Sequence, residues 1–186
     1  MRPLTVCLAV VFVAAVARPA YAQGGYVNLG LGVSFGSSDA QARPNLVGDF
    51  GYLPREPLGV EVDVDYAPSF FSNAGGFSEN RLTTVMGNVI VAGFDRERGR
   101  RRRQVLRPYV TGGIGLMSEH IGPNGFSDNH LGLDLGVGVM VVSRRQLGVR
   151  ADFRYFQDLV GSGTSNGIDF GSFHFVRASI GLVAAF

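Results

Sequence analysis

What the sequence withholds narrows it first. Its one cysteine, Cys7, sits in an apolar N-terminal run, so everything after that run has no disulfide, no thiolate metal site and no cysteine nucleophile. Lysine is missing altogether. All seventeen basic residues are arginine, set against fifteen acids, and a formal net charge of +2 gives no long-range field to attract a nucleic acid. After Val16 no apolar run approaches the roughly 20 residues of a spanning helix. The chain shows no alternation of strand and helix patterns either, which excludes a doubly wound fold.

The N-terminus reads as an address. Met1-Arg2 supplies a positive start, residues 4–16 (LTVCLAVVFVAAV) an apolar stretch of export-signal length, and Ala20-Tyr21-Ala22 the small-x-small pattern read by signal peptidase. We therefore expect residues 1–22 to be a cleaved signal peptide and residues 23–186 to form one domain; an N-terminal membrane anchor is the other reading of the run. Cys7 lies too early, and without small residues before it, for lipoprotein processing. An exported chain without disulfides has its core, a ligand or a membrane to stabilise it.

Glycine (27 residues), phenylalanine (14) and tyrosine (6) are abundant, a composition suited to strands. Eight stretches of about ten residues with period-two patterning follow one another: 26–35, 45–53, 58–66, 82–94, 105–117, 130–141, 147–155 and 176–186. The third is the clearest, with Leu58, Val60, Val62, Val64 and Tyr66 against Gly59, Glu61, Asp63 and Asp65. The fourth is ambiguous in phase: Val85, Val89 and Val91 form one apolar face, and Leu82, Met86, Ile90 and Phe94 compete with it. A helical period fits none of them. Longer polar connections (36–43, 67–80, 118–129, 157–172) follow the odd stretches and shorter ones (54–57, 95–104, 143–146) the even. This asymmetry predicts an all-β, eight-stranded, antiparallel, up-and-down transmembrane barrel, with both termini on the short-turn, periplasmic side.

Glycines share a face with the charges. Gly30, Gly32, Gly132, Gly136, Gly138 and Gly181 alternate with the Leu/Val/Ile/Phe ladders, as small residues must in an interior only as wide as eight strands allow. The pattern is therefore inside out relative to a soluble barrel. Asp49, Glu61, Asp63, Asp65, Asp134 and Asp152, with Arg107, Arg150, Arg154 and Arg177, are expected to meet inside as a paired charge network, a polar plug and not an open pore. Paired carboxylates can also serve general acid–base chemistry, but these are spread over many strands, which favours a structural role.

At this point the chain resembles the small OmpA-like, opacity-type outer-membrane β-barrels. The resemblance covers residues 23–186 and rests on Arg107-Pro108-Tyr109-Val110-Thr111-Gly112-Gly113-Ile114-Gly115, on Val149-Arg150-Ala151-Asp152-Phe153-Arg154-Tyr155-Phe156, and on an alternating terminal segment ending in Phe186. It implies residence in the bacterial outer membrane among its lipids, and a C-terminal assembly signal at Phe186 read by the barrel-assembly machinery. No peptidoglycan-binding segment follows in this sequence, so tethering to the cell wall is not implied.

Other clusters have plainer readings. The arginine-rich residues 96–103 (RERGRRRR) form a solvated turn or touch anionic lipid headgroups. Glu119, His120, Asp128 and His130 could ligate a metal, yet match no zinc spacing, and surface polarity is the expectation. The His-x-Ser pair of lipid A deacylases is absent after His130 and His174, and Gly30-x-Gly32 precedes no helix, so neither enzyme nor cofactor is expected. Function is assigned to the four long loops, as a structural or surface-interaction role open to an extracellular ligand, with Phe70, Phe71 and Phe77 offering apolar contacts. A conduit for small solutes is the alternative, and a monomer the expected state.

Overall fold

A computed structural model of the chain describes residues 24–36, 42–54, 57–68, 80–93, 96–98, 104–121, 126–143, 146–159 and 174–186. The expected export signal, and Phe70, Phe71, Phe77 and Phe94, lie outside them. The strands are β1 (Gly25–Gly36), β2 (Ala42–Tyr52), β3 (Leu58–Pro68), β4 (Asn80–Ala92), β5 (Arg96–Arg98), β6 (Gln104–Ile121), β7 (Phe126–Ser143), β8 (Leu147–Asp158) and β9 (His174–Ala185). Eight of these are 11 to 18 residues long, enough to cross a bilayer at the tilt a barrel imposes, for which about 9–11 suffice.

Every long strand pairs antiparallel with its neighbour in sequence, and two further pairings close the ring. β1 lies against β9, with Gly30 opposite Gly181, and β4 lies against β6, with Met86 opposite Gly115. Closure leaves no sheet edge along the bilayer-crossing wall, the condition for a sheet to live in lipid. Both described chain ends meet at one rim, where the Phe186 amide donates to the Gly25 carbonyl (2.8 Å) and the Phe186 carbonyl accepts from Gly25 (3.1 Å). We call this the turn end and the opposite rim the loop end.

Two expected connections are shorter than the sequence pattern implied. Residues 118–129 were expected as a long loop, but β6 and β7 keep pairing as far as Ile121 opposite Phe126. The backbone ladder alone carries the pairing past the apolar wall, since interstrand hydrogen bonds do not depend on side-chain polarity. Residues 95–104 contain β5, which pairs Arg96 with Leu106 and Arg98 with Gln104 at the turn end.

The phase of β4 resolves because both its faces are apolar. Val85, Val89 and Val91 point outward, while Leu82, Met86 and Ile90 are fully buried inside. Outside, all eight long strands expose apolar ladders, Leu31 at 64% and Leu182 at 73%, a surface suited to lipid.

Inward glycines permit strand contact that no other residue would. A Cβ at Gly115 would collide with the Val85 carbonyl oxygen, and one at Gly113 with the Gly87 carbonyl oxygen and the Asn88 side chain. Outward glycines are different: at Gly87 the nearest atom to a Cβ would be the Ile114 oxygen, at 3.8 Å. Gly115→Ala should therefore destabilise the barrel by about 1–3 kcal/mol through overpacking, and Gly87→Ala should stay within about 0.5 kcal/mol of the parent. Urea unfolding in lipid vesicles measures both.

Candidate functional site: a layered barrel interior

Inward side chains sort by height into three layers. At the turn end, Tyr26, Leu53, Ile90, Ala92, Tyr109, Met140 and Val183 form an apolar cluster. At the loop end, Ala67, Leu82, Met86, Met117, Phe156 and Phe175 form another. Between them lie the charges. Asp49, Glu61, Asp63, Asp65, Asp134, Asp152, Arg150, Arg154 and Arg177 are all buried, the three arginines at no more than 1% exposure.

Register brings these residues together. β2, β3, β7, β8 and β9 each contribute from their inward parity at mid-height, so one belt girdles the interior. Glu61 is its hub. One carboxylate oxygen accepts from Arg154 Nη2 (2.5 Å) and Arg150 Nη2 (3.2 Å); the other accepts from Arg150 Nη1 and the Tyr26 hydroxyl. Arg154 spreads its remaining donors to Asp152 (2.8 Å) and Asp134 (3.0 Å), and Arg150 donates to the Tyr109 hydroxyl (2.6 Å) and Asp152 (3.1 Å). Arg177 grips both oxygens of Asp63, at 3.0 and 2.6 Å, and lies 3.2 Å from Asp65.

Six carboxyl groups thus face three guanidinium groups, and neutral donors make up part of the difference. Asn28 donates to Asp49 (2.6 Å), Asn45 to Asp65 (2.7 Å), and Tyr109 to Asp152 (2.5 Å). With its amide turned to suit its neighbours, Asn88 donates to Asp134 (2.7 Å) and accepts from Arg154 (2.5 Å). Of these donors, Tyr26 and Asn45 were not singled out by sequence patterning. Their inward parity with Asn28 and Asp49 is the signal that could have found them.

Arginines also bind the belt to the apolar layers. The Arg150 guanidinium lies over the rings of Tyr109 (4.8 Å) and Tyr26 (5.8 Å), and Arg177 lies over Phe156 (5.1 Å), itself stacked on Phe175 at 4.5 Å. Arg107 shares the inward parity, stands opposite Met140 and is half-buried, while Arg150, Arg154 and Arg177 make the ion pairs described above.

The two described histidines stand near the loop end of their strands. His130 Nδ1 is 3.5 Å from Asp158, and His174 packs against Tyr155 with ring centroids 6.0 Å apart. The side chains of Glu119, His120 and Asp128 fall outside the described residues. Oxygens of Asp49, Glu61 and Asp63 approach within 4.8 Å of one another, a spacing that could suit a cation, but guanidinium groups already lie against all three. With a guanidinium group against each of the six acids, the belt's chemistry is cohesion: it ties five strands together through side chains.

A closed sheet with a lipid-facing apolar skin and a filled interior defines an integral membrane β-barrel. The chain belongs to the family described as the outer membrane protein β-barrel domain, which it matches over residues 4–182, and so to the bacterial outer membrane. Comparison with curated proteins by sequence found no match. Among solved structures, the fold is similar to that of Neisserial surface protein A (TM-score 0.63, 16% identity, covering 88% of this chain and 98% of that one). It is also similar to a major outer membrane protein from Thermus thermophilus (0.53, 15%, 87% and 99%). A third likeness is to the N-terminal β-barrel domain of Pseudomonas aeruginosa OprF (0.51, 12%, 86% and 98%).

Breaking one belt pair should cost more than removing it. Asp63→Leu or Arg177→Met alone leaves a buried charge facing an apolar side chain and should destabilise by about 3–5 kcal/mol. The double replacement should cost at least about 1 kcal/mol less than the sum of the two. A urea-unfolding double-mutant cycle in vesicles reads the coupling.

Proposed function

We propose that this barrel does not conduct, and that it serves as a structural and surface-interaction protein working through its loop end. The observation that carries the reading is the interior itself. Two apolar layers sandwich a belt whose guanidinium groups reach across from β8 and β9 to carboxylates on β2, β3 and β7. A solute would have to displace packed rings at both levels and break buried ion pairs between them. This opposes the conduit reading.

Under this proposal residues 1–22 are removed on export, and the segment ending at Phe186 is read by the assembly machinery. The barrel is monomeric, non-catalytic and cofactor-free, with its turn end in the periplasm. The loop end then faces outward, and its height there is uneven. The last described backbone bond joining β7 to the β8 segment is Leu159 to the Leu131 carbonyl (2.8 Å), whereas β6 and β7 remain paired beyond it to Ile121 and Phe126. That longer ladder would carry the contacts with an extracellular ligand.

Two measurements test the proposal. In planar bilayers the unmutated protein should show no steady channel; a large, stable conductance would sink the reading. An epitope inserted between Ile121 and Phe126 should be labelled by antibody on intact cells, and labelling only after the outer membrane is broken would reverse the orientation.

A further inference from the structure

The belt's charges do not balance, and one acid shows where. Six buried carboxyl groups meet three buried guanidinium groups, so full ionisation would leave a formal charge of −3 between the apolar layers. Guanidinium nitrogens come within 3.2 Å of five of the acids. Arg150 and Arg154 reach Glu61 and Asp152, Arg154 also reaches Asp134, and Arg177 reaches Asp63 and Asp65. Asp49 is the exception. Its Oδ2 is 3.6 Å from Arg150 and its Oδ1 3.8 Å from Arg154, both beyond hydrogen-bonding distance.

Register sets a second acid against it. Asp49 on β2 stands directly opposite Asp63 on β3, and oxygens of these two and of Glu61 lie within 4.8 Å of one another. Like charges opposite each other on paired strands repel, and exclusion of water strengthens the repulsion. Carboxyl groups this close in a buried site share a proton sooner than both ionise.

The two oxygens of Asp49 also differ. Oδ2 accepts from the Asn28 amide at 2.6 Å. Oδ1, on a residue only 4% exposed, has no hydrogen-bond partner among the described residues. That division suits a carboxylic acid, whose carbonyl oxygen accepts and whose hydroxyl donates. A metal ion would need a coordination shell where guanidinium groups from β8 and β9 already stand; a proton needs none.

We propose that the belt is a buried proton-binding site: Asp49 is a neutral carboxylic acid whose Oδ1 hydroxyl donates to the Asp63 carboxylate opposite. The groups facing the pair leave Asp63 as the acceptor. Arg177 on β9 grips both of its oxygens, while Glu61 is engaged by Arg150 and Arg154 on β8 and by the Tyr26 hydroxyl on β1. Asn28, the β1 residue opposite Asp49, is neutral. The bound proton turns a repulsive register pair into a tie between β2 and β3. It does so in either orientation of the barrel and whatever the loop end contacts.

Infrared spectroscopy of the folded mature barrel at neutral pH tests the site, in dodecylphosphocholine, a detergent without ester carbonyls. A protonated carboxylic acid has a carbonyl stretch clear of the amide band, and exposed acids are ionised at this pH, so such a band reports a buried acid. The parent should show it, shifted by heavy water and by carbon-13 labelling of aspartate. The difference spectrum between the parent and Asp49→Asn should contain it. Asparagine imitates the neutral acid, since its amide can donate where the hydroxyl did. Asp49→Asn should therefore keep the parent's urea midpoint in vesicles, whereas Asp63→Asn, which takes a carboxylate from Arg177, should lower it.

Absence of the band overturns the proposal. If the midpoint then rises in sodium or calcium chloride relative to choline chloride at equal ionic strength, the three carboxylates hold a metal cation instead. A band that Asp49→Asn leaves unchanged puts the proton on another acid and also overturns the assignment. So does an Asp49→Asn variant that loses folded gel mobility or falls in midpoint as far as Asp63→Asn, because both acids are then needed as carboxylates.

Discussion

Glu61 is the residue on which the interior turns. A lone carboxylate buried in a barrel would carry a desolvation cost of several kcal/mol, and so would each guanidinium group nearby. Glu61 offsets this for two arginines at once by giving each of its oxygens to Arg150 and one to Arg154. Those arginines, both on β8, reach acids on β2, β3 and β7, while Arg177 joins β9 to β3. The result is a set of cross-interior ties that the sheet's ladder hydrogen bonds, which link only neighbouring strands, could never supply.

Such a belt requires its surroundings to be apolar. Electrostatic attraction strengthens where water is excluded, and so does the penalty for any unpaired group. The two apolar layers set this environment, and their contact with the belt is chemical as well as steric. Tyr26 and Tyr109 face the apolar cluster with their rings, carry Arg150 on the same rings, and donate their hydroxyls to Glu61 and Asp152. An amphipathic side chain suits that boundary, with an apolar body for one layer and a polar tip for the next.

Much of this was readable in the linear pattern. Strict alternation in β3 placed Val60 and Val62 outside and Glu61 and Asp63 inside, and the ring closed as the connection lengths implied. Where reading failed, the cause was height. Period-two patterning tells inside from outside but not middle from end, so Leu82, Met86 and Ile90 looked like a competing lipid face when they are end-layer residues. Pairings such as Asp63 with Arg177 were also out of reach, because register across a closed barrel depends on shear that no single strand encodes.

Glycine separates what the fold requires from what it merely allows. Inside, Gly113 and Gly115 sit against backbone atoms of β4, and the barrel could not close with larger residues there. Gly25 instead lies beneath the side-chain ring of Phe186, so the terminal residue packs directly onto the first strand it meets. Outside, a Cβ at Gly48, Gly87 or Gly112 would meet its neighbours only at ordinary contact distance, 3.5 to 3.8 Å. Their smallness shapes the outer wall, and at Gly87 it leaves a groove bordered by Phe50 and Val62. The interior therefore accounts for how the barrel stands, and its surfaces are where it meets other molecules.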